Sequence, residues 1–304
     1  MTWSALEGAD CREANGGDMH LVEADGRGGL RVRHAPPPVP GPGEVLVEVA
    51  AAGVRALPGG AGPDSGVAGL VGALGAGVPR HWLGRRVVAT VDGDGYAERV
   101  TVPLSAVLEV PDAVHEQEAA ALLREGSTAL ALFEAADVSP GESVLVLPAA
   151  GGIGSVLVQL AAAAGAHVIG AARGPGKLRL VRDLGADVVV DYGEPGWAER
   201  AGYADVVFDG VGGELGRIAF DHAKSRFSAY GTASGSPAVL PEPRGVTVHE
   251  PVEPSTVDVQ RILRAAADGR VVPLIGQTYP LTRAAEAHAA LAARRTVGKT
   301  LLVA

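Results

Sequence analysis

One stretch limits the possible folds of this chain more than any other. The apolar run Ser143-Val144-Leu145-Val146-Leu147 leads into Pro148-Ala149-Ala150-Gly151-Gly152-Ile153-Gly154-Ser155. A continuous apolar strand suits burial on both faces, as in a parallel sheet. The glycines after it predict a sharp turn into a helix over 154–164. Read as a dinucleotide-binding turn, Ala149 takes the first position, Gly151 the second and Gly154 the third. Gly151 would let a pyrophosphate approach the backbone, and Gly154 would let the helix pack against the strand. The helix N-terminus would then offer unpaired N–H groups and a partial positive charge. A tight strand-to-helix turn without a ligand uses the same residues, so the surrounding pattern has to decide.

That pattern is alternating. Strands are expected at 167–172, 188–190, 204–209, 226–230 and 245–248, with helices over 177–184 and from 214 onward. Strands and helices at this spacing predict a doubly wound parallel sheet. The first third reads differently. Residues 44–49 alternate polar and apolar, as a half-buried strand does, and 86–91 and 96–102 are further strands. The proline-rich entry 36–43 cannot be helical. Residues 54–77 are too loose in composition to assign. Helices are expected at 116–123 and 128–136. In the tail they are expected at 256–267 and 283–293, with strands at 272–275 and 299–303. At roughly 150 residues per domain, a chain of 304 residues holds two. The expected division is 1–122 with 253–304 as a β-rich unit, and 123–252 as the dinucleotide-binding unit.

The second strand of the parallel series indicates which dinucleotide. An NAD site carries an acid there to hold the ribose hydroxyls. This chain reads Ala171-Ala172-Arg173-Gly174, followed by Lys177 and later Tyr192. Two cations and a phenol fit a 2′-phosphate through charge-assisted hydrogen bonds, which points to NADPH. The bland alternative is the solvated first turn of a helix.

Composition removes other classes. The net charge of −9 argues against an electrostatic nucleic-acid binder. Cys11 is the sole cysteine, which excludes a disulfide framework and a thiolate zinc site. The eight histidines form no ligand-spaced cluster, so no metal is expected. No apolar run approaches the ~18 residues of a membrane span. Residues 1–4 lack the basic and apolar regions of a signal peptide. A cytoplasmic protein is expected.

The run from Gly141-Glu142-Ser143 to Asp209-Gly210-Val211-Gly212-Gly213 resembles the medium-chain dehydrogenase/reductase superfamily, and within it the zinc-free quinone oxidoreductase branch. Gln159, Lys177, Leu184-Gly185-Ala186-Asp187, Asp191-Tyr192, Tyr230-Gly231 and Gly298-Lys299-Thr300-Leu301-Leu302 carry the likeness. So do Pro40-Gly41-Pro42-Gly43-Glu44-Val45-Leu46-Val47 and Ala51-Ala52-Gly53-Val54 in the first third. The resemblance implies a GroES-like β-rich domain plus a Rossmann domain, an active site in the cleft between them, bound NADPH and a homodimer. It places Thr128, Ala150, Gly151, Gly152, Ile153, Lys177, Tyr192, Gly210, Val211, Tyr230 and Gly231 along the cofactor. Arg173 joins them on the phosphate argument. Thr128 can also serve as a helix N-cap.

The substrate side departs from the family pattern. Arg55 stands where the branch has Asn, and the loop after Val54 is shortened. Candidate proton donors or carbonyl anchors are Tyr96, Tyr230, Ser127 and Arg55. Each also has a structural reading: Tyr96 as a strand start, Tyr230 as packing beside the cofactor, Arg55 as filler for the missing loop. His81 and Trp82 can merely cap the β-rich unit. The implied activity is NADPH-dependent hydride transfer to a small molecule, a quinone or an α,β-unsaturated carbonyl. A biosynthetic tailoring enzyme or a non-catalytic NADPH-binding sensor would fit the same fold.

Overall fold

The alternating segment at 44–49 extends to Val54 and becomes a central strand of a seven-stranded sheet. The computed structural model describes residues 17–27, 29–55, 66–91, 93, 95–231, 236–242 and 245–304. Cys11 and the loop at 56–65 lie outside the described residues. The chain opens with β1 (Met19–Ala24) and β2 (Leu30–Ala35), then β3 (Glu44–Val54), β4 (Gly66–Leu74), β5 (Arg86–Thr90), β6 (Arg99–Pro103) and β7 (Val107–Glu109). Two helices follow, α1 (Glu116–Leu123) and α2 (Glu125–Ala135). The alternating series is β8 (Ser143–Leu147), α3 (Gly152–Ala163), β9 (His167–Ala172), α4 (Pro175–Asp183), β10 (Val188–Asp191), α5 (Trp197–Ala201), β11 (Ala204–Asp209), α6 (Gly213–Asp221), β12 (Ala223–Ala229) and β13 (Thr247–His249). The tail holds α7 (Thr256–Ala267), β14 (Ile275–Pro280), α8 (Ala284–Ala292) and β15 (Lys299–Val303).

The six-stranded sheet has the order β10-β9-β8-β11-β12-β13, and every pairing in it is parallel. This is the doubly wound order whose ligand crevice lies beyond the carboxyl end of the first strand, where the strand order reverses. Val144, Val146, Val206 and Phe208 face one side and share a core with α2, α3 and α7. Leu145, Leu147, Val207 and Phe227 face the other and pack on α5 and α6. The second sheet runs β14-β15-β3-β4-β5-β7, with β6 on β3. Its inner face forms a separate core around Val45, Val47, Val67, Val87 and Leu302.

Several expectations are adjusted. The strand expected over 96–102 begins at Arg99, and Ala97 makes only an isolated bridge to Leu21. The strand expected over 272–275 lies at 275–280. The helix expected at 128–136 begins at Glu125, directly behind α1, so Thr128 is not a cap: the cap is Arg124, and the Thr128 amide donates to the Arg124 carbonyl. The unassigned stretch contains β4, a strand paired on both sides. The two sheets are joined at the glycine turn, where the Gly298 amide donates to the Ala150 carbonyl and Gly298 bridges Gly151. No helix among the described residues is long and apolar enough to cross a membrane.

Candidate active site

The turn after β8 is built by close approach. A Cβ at Gly154 would sit 2.1 Å from the Pro148 carbonyl oxygen, so only glycine lets α3 start this near the strand. Gly151, the N-cap residue, has an extended backbone and provides no side-chain cap. The N–H groups of the first turn of α3 are thus offered to an anion. Gly170 on the neighbouring strand does for α4 what Gly154 does for α3: a Cβ there would meet Val181 Cγ1 at 2.2 Å.

On one side of this turn, cations gather around a phenol. The Arg173 guanidinium lies 5.4 Å from the Tyr192 ring centroid. Lys177 is half-buried, and burial, with the nearby Arg173 charge, pushes its ammonium below the ordinary lysine value. Burial raises the Tyr192 hydroxyl above its ordinary value, while the charges of Arg173 and Arg294 pull it back. Lys177 Nζ lies 3.5 Å from the Arg294 carbonyl oxygen. The nearest acid is spent on the backbone: Asp191 accepts from the amides of Gly174 at 2.8 Å and Gly193 at 2.7 Å. Mutually repelling cations beside an occupied carboxylate form a site of positive potential, which suits a phosphate. Arg294 was not found from the sequence. It follows α8, 117 residues from Lys177, and only the tertiary fold brings it here.

On the other side, β11 and β12 end in a packed wall. A Cβ at Gly210 would fall 2.4 Å from Tyr230 Cε2, so the ring lies directly against the Gly210 backbone. Asp209 is fully buried. Its Oδ1 accepts from the Val211 amide at 2.8 Å and the Gly212 amide at 3.1 Å, which fixes the turn that carries Gly210 and Val211. Burial raises the Asp209 carboxyl above its ordinary value, and those two amides oppose the shift.

The proposed proton donors fare less well. Tyr96 has no exposed surface and belongs to the core of the second sheet, where its hydroxyl is 2.9 Å from His288 Nε2. Tyr230 donates to the Leu147 carbonyl at 3.3 Å, and burial pushes its phenol well above the ordinary value. Ser127 is fully buried and donates to the Leu123 carbonyl at 2.6 Å. Three hydroxyl groups are therefore committed within the fold. Arg55 is half-buried at the end of β3. His81 and Trp82 form one turn of 3-10 helix, with ring centroids 5.6 Å apart. Among the described residues, no three His, Cys, Asp or Glu side chains are grouped to hold a metal.

A quinone oxidoreductase of Pseudomonas aeruginosa is 32% identical to this chain over an alignment that covers 90% of it and 95% of the relative. The chain belongs to the medium-chain dehydrogenase/reductase superfamily, in its quinone oxidoreductase-like branch. A zinc-binding dehydrogenase family model matches residues 184–302. A 2-haloacrylate reductase of a Burkholderia species is 30% identical over 78% of this chain and 79% of its own. Among solved structures, a mycobacterial protein in complex with NADPH is 32% identical and superposes with a TM-score of 0.81, covering 94% of this chain and all of its own. Within this superfamily, the parallel sheet is the Rossmann unit and the sheet around β3 the GroES-like unit.

Proposed function

We propose that this protein is an NADPH-dependent, zinc-independent oxidoreductase that reduces a quinone or an α,β-unsaturated carbonyl compound. The observation that carries the reading is the cluster of Arg173, Lys177, Tyr192 and Arg294 beside an uncapped, glycine-lined helix N-terminus. That set has the donors and charge for a 2′-phosphate and a pyrophosphate, whereas the end of β9, where a ribose-binding acid would stand, is followed by Arg173, and Asp191 at the end of β10 accepts from two backbone amides. The relatives support the substrate class, since quinones and haloacrylates share an electron-poor carbon–carbon double bond conjugated to a carbonyl.

When bound, NADPH supplies the hydride. The chain's own part is placement and electrostatics. Gly152 and Ile153 present amides to the pyrophosphate, while the Gly151 amide closes the turn on the Pro148 carbonyl, with Ala150 and Thr128 alongside. Gly210, Val211, Tyr230 and Gly231 form the wall that orients the rest of the dinucleotide, held in shape by Asp209. Arg55, half-buried just after β3, is assigned as the anchor of a substrate carbonyl, and the committed hydroxyls of Tyr96, Tyr230 and Ser127 leave protonation of the product to solvent. We assign residues 1–122 with 253–304 to the substrate side and 123–252 to the cofactor side. We further propose a cytoplasmic homodimer joined through the Rossmann sheets, whose edge strand β13 carries a partly exposed Val248.

The test is oxidation of NADPH by a small quinone and by a cyclic enone, followed by loss of NADPH absorbance. Turnover with either acceptor is expected. Tight NADPH binding without turnover on any electron-poor alkene would replace this reading with that of a sensor or of a dedicated tailoring enzyme.

A further inference from the structure

The most buried ion pair among the described residues lies beside the glycine turn. Lys299 opens β15 with its side chain 4% exposed, and Glu125 opens α2 with its side chain 14% exposed; Nζ and Oε1 are 2.5 Å apart. The pair spans the two units, because β15 belongs to the sheet around β3 while α2 packs on α3. Three contacts tie it to the phosphate-binding turn. The Gly298 amide donates to the Ala150 carbonyl, Gly298 bridges Gly151, and a Cβ at Gly152 would sit 2.8 Å from Glu125 Cγ. The second carboxylate oxygen, Oε2, is buried with no hydrogen-bond partner.

As a source of stability, this arrangement is poor. A buried pair gains little over apolar packing, and a half-satisfied carboxylate adds a desolvation cost. A negative charge beside amides that receive a pyrophosphate also opposes that anion. A cation within reach of the same turn favours it. The two partners therefore act on dinucleotide binding with opposite signs.

We propose that Glu125 is an affinity-setting residue that holds Lys299 and competes for it with the pyrophosphate of the dinucleotide. Bound cofactor draws the Lys299 charge toward itself, and Glu125 limits how tightly it is held and promotes its release. This rests on the dinucleotide reading of the site.

Calorimetric titration of wild type, Glu125→Gln and Lys299→Met with NADPH tests it, alongside adenosine 2′,5′-bisphosphate, which lacks the distal phosphate. Glu125→Gln is expected to tighten NADPH about tenfold and Lys299→Met to weaken it about tenfold. The bisphosphate, which keeps only the adenosine-side phosphate of the pyrophosphate, is expected to shift in the same directions but by a clearly smaller factor. Should Lys299→Met fail to fold, the direction of the Glu125→Gln effect decides alone. The proposal is overturned if Glu125→Gln leaves NADPH affinity unchanged or weakens it, or if it shifts the bisphosphate equally. Wild-type protein that binds no NADPH would overturn the dinucleotide reading and this proposal with it. Normal wild-type binding with unmoved variants would overturn this proposal alone.

Discussion

Replacing Gly154 with alanine puts the central geometric claim under direct load. The new methyl would lie 2.1 Å from the Pro148 oxygen, 3.0 Å from its carbonyl carbon and 3.1 Å from Ala149 Cα. Ordinary contact needs about 3.5 Å, so α3 must back away from β8 by more than about 1 Å. All three obstructing atoms are backbone, and no flexible side chain can give way. Overpacking of this kind costs about 1–3 kcal/mol, and the rigid surroundings favour the upper end. For a chain of this size, ~3 kcal/mol lowers Tm by roughly 6–12 °C. The same displacement moves the N–H donors off the pyrophosphate, and a misplacement of about 1 Å can cost on the order of 100-fold in function. Differential scanning calorimetry and a fluorescence titration with NADPH read the two effects. Gly176→Ala is the control: nothing lies within 4 Å of the added methyl, and alanine in a helix is favoured over glycine by up to ~1 kcal/mol. A Gly154→Ala protein that melts and binds NADPH like wild type would refute the close-packing argument.

Removing the cations should change cofactor choice more than fold. Lys177→Ala, Arg173→Ala and Arg294→Ala are each expected to weaken NADPH about tenfold or more while leaving NADH nearly unaffected, measured as paired Kd values. Tyr96→Phe deletes a buried hydrogen bond to His288. It should cost about 1 kcal/mol in urea unfolding and leave kcat unchanged, whereas a large fall in kcat at intact stability would return Tyr96 to the chemistry. Asp209 gives a signed pH effect. Burial raises its carboxyl in the folded state, so its contribution to stability is full below the unfolded value of ~3.9 and is lost as pH rises through the higher folded value. Wild type should therefore lose stability relative to Asp209→Asn as pH climbs through that window and then level off. A difference growing in the other direction would contradict the assignment.

The Rossmann unit was legible because its signals are local. The run of β8, glycine turn and α3 lies within one short segment, and each element carries its own apolar pattern. The strand β4 was not legible, and packing explains why. Its glycines look like loop residues, yet a Cβ at Gly69 would meet the Glu48 carbonyl oxygen at 1.9 Å, so glycine is what allows this strand to pair so closely with β3. The helix α5, five residues long, is too short to show a period. Site residues divide in the same way. Arg173, Lys177 and Tyr192 follow successive strands of one sheet, and their positions could be read from spacing. Arg294 and Lys299 reach the site only through the return of the chain from the second sheet. Tyr96 was a plausible donor in sequence because its partner, His288, lies 192 residues away.

The most direct test of the central claim is a calorimetric titration of the purified protein with NADPH and, in parallel, with NADH. The account predicts saturable NADPH binding that is at least tenfold tighter than NADH, the margin set by charge-assisted bonds to the extra phosphate. Equal affinity for the two, or no binding of either, would contradict it.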